Sequence, residues 1–157
     1  MKIILTPLLI AFIVSGLFYY HHHQIRPFRC DAQSISHIEQ GEDKVDLNLN
    51  VNIIFTLHNE GVLSFTGSVK HAGREYLVNR ELFFTSTPSE LEGTNKTKIT
   101  REEINKNDEL PLGLWQQYIL SKVQGTEFYT NLTAVNHNGM LLQELSNPLF
   151  VCVRSEN

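Results

Sequence analysis

The sequence predicts a mainly β protein: an N-terminal transmembrane helix followed by an antiparallel β-barrel with one short helix. Three observations point there. An uncharged apolar segment runs from Ile3 to Tyr20. Apolar and polar residues then alternate with a period of two through most of the chain, the signature of half-buried strands. Two cysteines, Cys30 and Cys152, bracket that alternating region.

The apolar segment comes first. Its 18 residues, at the rise of an α-helix, extend about 27 Å, close to the hydrocarbon thickness of a bilayer. A cleaved signal peptide is the competing reading, with Val14-Ser15-Gly16 as a passable cleavage site. The apolar run continues through Leu17, Phe18, Tyr19 and Tyr20, and paired tyrosines suit an interfacial belt, so an uncleaved anchor is favoured. A helix apolar on every face at a chain end has little protein to hide in, which disfavours a buried soluble helix. The organisation expected is a cytoplasmic head at 1–2, an anchor at 3–20, a juxtamembrane linker at 21–29 and an exported β-domain at 30–157. Lys2 on one flank and Arg26 and Arg29 on the other leave the positive-inside rule ambiguous. The cysteines favour export, because an even pair bracketing a domain reads as a disulfide in an oxidising compartment.

Within the domain, Ala32 to Glu39 reads as an opening strand. From Val45 to Leu57 every odd position is apolar, while Asp46, Asn48, Asn50 and Asn52 occupy even ones. That is a long strand with one wet face. His58-Asn59-Glu60-Gly61 supplies turn chemistry, and alternation resumes with Leu63, Phe65 and Val69. Ala72-Gly73 breaks to a third strand with Tyr76, Val78, Leu82 and Phe84 on one face, where Arg80 is the single charge. Thr85 to Asp108 is rich in Ser, Thr, Asn and Lys and reads as a loop, with Lys98 to Ile104 as one more short strand or edge. In PLGLWQQYIL, residues 111–120, Leu114, Trp115, Tyr118 and Ile119 fall at helical spacing. A short amphipathic helix is expected there, with Trp115 as a core plug. Phe128 to Val135 and Met140 to Leu145 flank His137-Asn138-Gly139, whose Asn-Gly pair signals a tight hairpin. Leu149 to Val153 is the last strand. Seven or eight strands in antiparallel order fit an up-and-down barrel or a two-sheet β-sandwich. The barrel is favoured, since a Cys30–Cys152 bridge would staple its first strand to its last.

Charge and motif content narrow the function. Three of the 13 basic residues and none of the 17 acidic ones precede Asp31, so residues 31–157 hold 10 against 17, a charge of −7. Phosphate would be repelled, so a nucleic-acid binder is excluded. There is no G-x-S-x-G, H-E-x-x-H, C-x-x-C or Gly-rich phosphate loop. No catalytic residue, metal site or cofactor is therefore expected. His21, His22 and His23 read as a solvated juxtamembrane hinge, and Glu102-Glu103 and Asp108-Glu109 as solvated acids in flexible sequence. The two glycosylation triplets, at Asn95 and Asn131, are assigned no role.

Taken together, MKIILTPLLIAFIVSGLFYY, FRCDAQ at 28–33, VDLNLNVNIIFTL and the closing LFVCV at 149–153 resemble the FidL-like membrane proteins of enteric bacteria. That family is itself similar to the ToxS and VtrC co-components of membrane-bound winged-helix regulators. The resemblance implies an inner-membrane protein with a lipocalin-like periplasmic barrel and no enzymatic activity. It further implies pairing with the sensory domain of a ToxR-like regulator, with a bile salt or other apolar ligand shared between them; a stand-alone apolar-ligand-binding domain and a structural accessory of an envelope assembly are the competing readings. Trp115, Tyr118 and Ile119 are the candidate ligand or partner contacts, on a wall of the inward-facing cavity.

Overall fold

The computed structural model describes residues 13–16, 27–41, 43–56, 59–122, 124–145 and 147–155. Residues 13–16 are helical and exposed. The rest of the expected anchor at 3–20, the head at 1–2 and His21–His23 lie outside the described residues. Among the described residues no helix is long and apolar enough to cross a membrane.

Eight antiparallel strands close into a barrel in sequence order. They are β1 (Phe28–Gln40), β2 (Asp43–Phe55), β3 (Glu60–His71), β4 (Arg74–Pro88), β5 (Asn95–Ile104), β6 (Glu127–Ala134), β7 (Gly139–Glu144) and β8 (Asn147–Ser155). One helix, α1 (Leu112–Tyr118), lies between β5 and β6. The period-two pattern of β2 has the effect expected of it: Val45, Leu47, Leu49, Val51, Ile53 and Phe55 are all buried, and Asn48 and Asn50 are exposed. Each such side chain contributes about 1.5–3 kcal/mol relative to exposure. Phe65 and Val69 of β3 and Val78, Leu82 and Phe84 of β4 complete the same core.

The turns follow from their residues. Ala72 and Gly73 sit at φ 50° and 78° between paired His71 and Arg74. Positive φ at both central positions is the twist a two-residue hairpin requires. Gly67 serves a different need. A Cβ there would come within 2.1 Å of the Asn48 carbonyl oxygen, so β2 and β3 approach closely only because residue 67 has no side chain.

Three expectations need correction. The polar stretch from Thr85 is less of a loop than expected: β4 continues to Pro88, and the short strand expected at Lys98–Ile104 is present but starts earlier, as β5 (Asn95–Ile104). Its first inward positions are Ser86 and Thr97, small hydroxyl-bearing residues that hide the alternation from a hydrophobicity count, whereas Ile99 lies in the part expected as a strand. Next, β1 begins at Phe28, four residues before the expected opening strand, because Phe28 stacks on Phe55 with ring centroids 4.8 Å apart. Finally, Asn138-Gly139 does not form the tight hairpin turn. Gly139 lies in β7, and the connection is Val135–Asn138, organised by Asn136, whose Oδ1 accepts from the N–H groups of Asn138 (3.1 Å) and Gly139 (2.6 Å).

The Cys30–Cys152 disulfide joins the first strand to the last, with Cα atoms 5.5 Å apart. Both cysteines are fully buried. Closing a separation of 122 residues restricts the unfolded chain by about 5 kcal/mol in the chain-entropy description.

Candidate functional site

Strands β1–β4 are longer than β5–β8, so one end of the barrel has tall walls on one side only. The connection from Asn105 to Thr126, including α1, fills the difference. Asn105 and Glu109 donate backbone hydrogen bonds to the carbonyls of Asn79 and Leu77, which lays the chain along β4 before it turns into the helix. Trp115 is 1% exposed and meets Phe65 edge-on at 5.2 Å. Tyr118 lies near His71 at the end of β3, with ring centroids 6.5 Å apart.

Arg80 anchors this segment. The lone charge of the inward β4 row is 2% exposed, and its guanidinium lies 4.8 Å from the Trp115 ring. Asp108, equally buried, accepts from Arg80 Nε at 3.0 Å and Nη2 at 2.8 Å. The same carboxylate accepts from the N–H groups of Asn79 (2.9 Å) and Leu110 (3.1 Å). Arg80 Nη2 also donates to the Leu110 carbonyl, and Nη1 to Glu102 at 3.4 Å. A bidentate pair with its remaining sites occupied is the form in which a buried ion pair is tolerated. Asp108 and Glu102 are therefore not the solvated acids expected. Arg80 was conspicuous in the sequence, but its partner lies 28 residues away amid polar neighbours, and no local pattern connects them.

Below the helix the interior narrows to an apolar cavity of about 60 Å³, walled by residues including Ile53, Phe65, Leu82, Ile99, Ile119 and Phe150. An eight-stranded barrel is just wide enough for side chains to fill or for one small ligand, and here the side chains nearly fill it. Ile119 reaches this wall; Trp115 and Tyr118 stand behind it in the helix plug. A hydroxyl cluster follows. Thr97 Oγ1 lies 2.7 Å from Thr130 Oγ1 and donates to Ser86 Oγ at 3.2 Å, all three residues being buried. These hydroxyls separate the inner cavity from a wider one of about 340 Å³ at the opposite end, lined by Phe28, Phe55, Asn95, Leu132, Met140 and Arg154 among others. That size falls within the range of small-molecule pockets. The sequence signal for the hydroxyl cluster was present at Ser86, which follows Arg80, Leu82 and Phe84 in steps of two.

Near this second end, β1 meets β8. Asp31 accepts from the Ser155 hydroxyl and from Asn52, and the Ser155 bond first of all, with Asn52 and Arg29, holds its carboxyl below the ordinary value. Higher on β1 the exposed His37 ring contacts Asp46 and Glu39. Its pKa is raised, chiefly by the Asp46 hydrogen bond. Among the described residues no group of three or more His, Cys, Asp or Glu is placed to hold a metal ion.

Fold and site together define a small disulfide-stapled antiparallel barrel, with one end filled by a helix and a cavity at the other. Residues 67–152 match the family described as FidL-like putative membrane protein. The match covers more than half of the chain, which belongs to that family. A comparison with curated proteins finds no match.

Proposed function

We propose that this chain is a non-catalytic accessory protein, held in the bacterial inner membrane by residues 3–20 with its barrel in the periplasm. There it pairs with and stabilises the sensory domain of a membrane-bound winged-helix regulator of the ToxR-like kind. The observation that carries the reading is the buried Cys30–Cys152 disulfide, which lies ten residues beyond the end of the apolar segment. A bridge of this kind persists in an oxidising compartment, and an anchor immediately upstream is the economical way to hold the domain there. The class of partner comes from the resemblance of the sequence to ToxS and VtrC, with which membership of the FidL-like family agrees. Confinement to one membrane raises the effective concentration of a co-anchored partner, so a modest interface is well occupied.

The cavity of about 340 Å³ favours a second reading, a stand-alone domain for an apolar or bile-salt-like ligand. Its mixture of Phe28, Phe55, Leu132 and Met140 with Arg154 at one side suits an amphiphile with an anionic group. Affinity purification from native membranes separates the two. The accessory reading expects the regulator in the eluate and a shorter regulator half-life when this protein is deleted. No regulator and an unchanged half-life would leave the ligand-binding domain as the better account, to be tested by ligand binding to the purified chain alone.

A further inference from the structure

The barrel is closed over a very short seam. Among the described residues β1 and β8 pair through three residues, Arg29, Cys30 and Asp31 against Ser155, Arg154 and Val153. β1 nevertheless continues to Gln40, paired throughout with β2. Among the described residues, its other edge from Ala32 to Gln40 has no strand beside it. Every second residue of an antiparallel strand turns its N–H and C=O toward each edge, so this stretch presents a row of backbone groups for a further strand.

Charge protects only the far part of this edge, at His37 and Glu39; nearer the seam apolar side chains flank it. Ile35, outward on β1, is 71% exposed. Across the seam, outward on β8, Val151 and Val153 are 63% and 59% exposed. Apolar residues thus stand on both sides of a gap with free backbone.

We infer that the β1 edge is the docking site for an extended strand of the partner protein, which adds to the sheet along Ala32–Gln40 and covers Ile35 and Val151. This rests on the accessory reading above and specifies its interface. The occupant is not a second copy. Two identical β1 edges forming one continuous sheet have to pair antiparallel about a two-fold axis. That arrangement sets two domains that each carry a charge of −7 against one another, a like-charge contact that opposes it. Charge defines the partner strand further. The distal part of the β1–β2 face carries Glu39, Asp43 and Asp46 against Lys44 and His37, within a domain whose charge is −7. The complementary strand is apolar where it crosses Ile35 and basic toward Glu39.

The test uses the full chain in its native membrane. A photo-crosslinking residue replaces Gln33 or Ile35, with Asn50 on the outer face of β2 as the control position. Adducts from positions 33 and 35, mapped to one extended segment of the regulator's periplasmic domain and absent from position 50, support the site. Ile35→Lys should lower regulator recovery by about tenfold, as for a central interface residue. Leu77→Lys, an equally conspicuous exposed apolar position on β4 at 49%, should leave recovery unchanged. Recovery of the regulator with no adduct at 33 or 35 and no loss with Ile35→Lys overturns the site while the accessory reading stands. Absence of any regulator overturns both, and an adduct of twice the chain's mass shows that the occupant is a second copy. Hydrogen exchange on the isolated full chain in detergent gives an independent check. Alternate amides between Ala32 and Gln40 should exchange at least about tenfold faster than their neighbours bonded to β2; uniform protection along β1 would rule out a free edge.

Discussion

Replacing Asp108 by Asn should cost about 3–5 kcal/mol, a large share of the 5–15 kcal/mol by which domains of this size are stable. The substitution preserves volume but turns one acceptor oxygen into an NH₂ donor and removes the charge. Arg80, 2% exposed, would lose its bidentate partner at 2.8 and 3.0 Å. The Asn79 and Leu110 N–H groups would compete for one remaining oxygen. Glu102, 24% exposed and 3.4 Å from Arg80, offers weak compensation, which places the expectation toward the lower end of the range. Arg80→Met should also destabilise, because it strands a buried carboxylate. The double variant removes both charges and should cost about 2 kcal/mol less than the sum of the single ones. Urea unfolding of the full chain in detergent measures this, and Trp115, the sole tryptophan, is the reporter because it lies against the Arg80 guanidinium. A loss below about 1 kcal/mol for Asp108→Asn with an unchanged m value, or additive single variants, would show that the pair does not hold the helix plug in place.

Three further outcomes are expected. Cys152→Ser should lower stability by about 2–5 kcal/mol, and non-reducing peptide mapping of the membrane-derived protein should recover the Cys30–Cys152 link; free thiols at both positions would contradict it. Val51→Asp, at a position 1% exposed, should prevent folding, whereas Asn50→Asp on the wet face of β2 should be nearly silent, and equal protease resistance of the two would refute the strand register. His37 should titrate above the ordinary imidazole value by NMR and return toward it in Asp46→Asn, since the Asp46 bond is the main cause of its shift. The sign follows from linkage: the His37 contribution is complete below its unfolded pKa and is lost as pH rises through the raised folded value. Glu39, lowered chiefly by Lys44, contributes above its unfolded pKa and loses that contribution as pH falls through its folded value. The exposed cluster is thus at full strength in the mildly acidic window between them.

The sequence made the apolar strands legible and the polar ones obscure, for one physical reason. Periodicity detects a strand when its inward residues are large and apolar, as from Val45 to Phe55. The start of β5 turns Thr97 inward, and the end of β4 turns Ser86 inward, so there the same geometry was written in hydroxyls and read as loop, while the segment from Lys98 that holds Ile99 read as a short strand or edge. The β6–β7 hairpin formed, but its turn is not at Asn138-Gly139, for a related reason. An Asn-Gly pair favours a tight turn only where the turn decides the register, and here Asn136 captures the Gly139 N–H while Gly139 joins β7 opposite Val153 of β8. Arg80 was visible as an intruder in an apolar row, and the helix with Trp115 was visible from its spacing. Their meeting through Asp108 was not, because it depends on the unequal heights of the strands.

That inequality also explains how a barrel can be closed and still have an available edge. Four long strands and four short ones cannot meet along their whole length, so the tall wall of β1–β4 must be completed by something else at its upper end. On the β4 side the chain supplies its own completion: Asn105 and Glu109 bond to the strand's free carbonyls, and α1 seats Trp115 against Arg80. On the β1 side no described element does the same, and the disulfide and the Asp31–Ser155 bond close only the opposite end. An exposed edge nine residues long is a liability that monomeric β proteins suppress with charge, proline or a bulge. Between Ala32 and Gln40 there is no proline, the pairing with β2 runs without a bulge, and the centre of the edge carries Ile35. An edge left in that condition is consistent with a protein whose native state includes a partner.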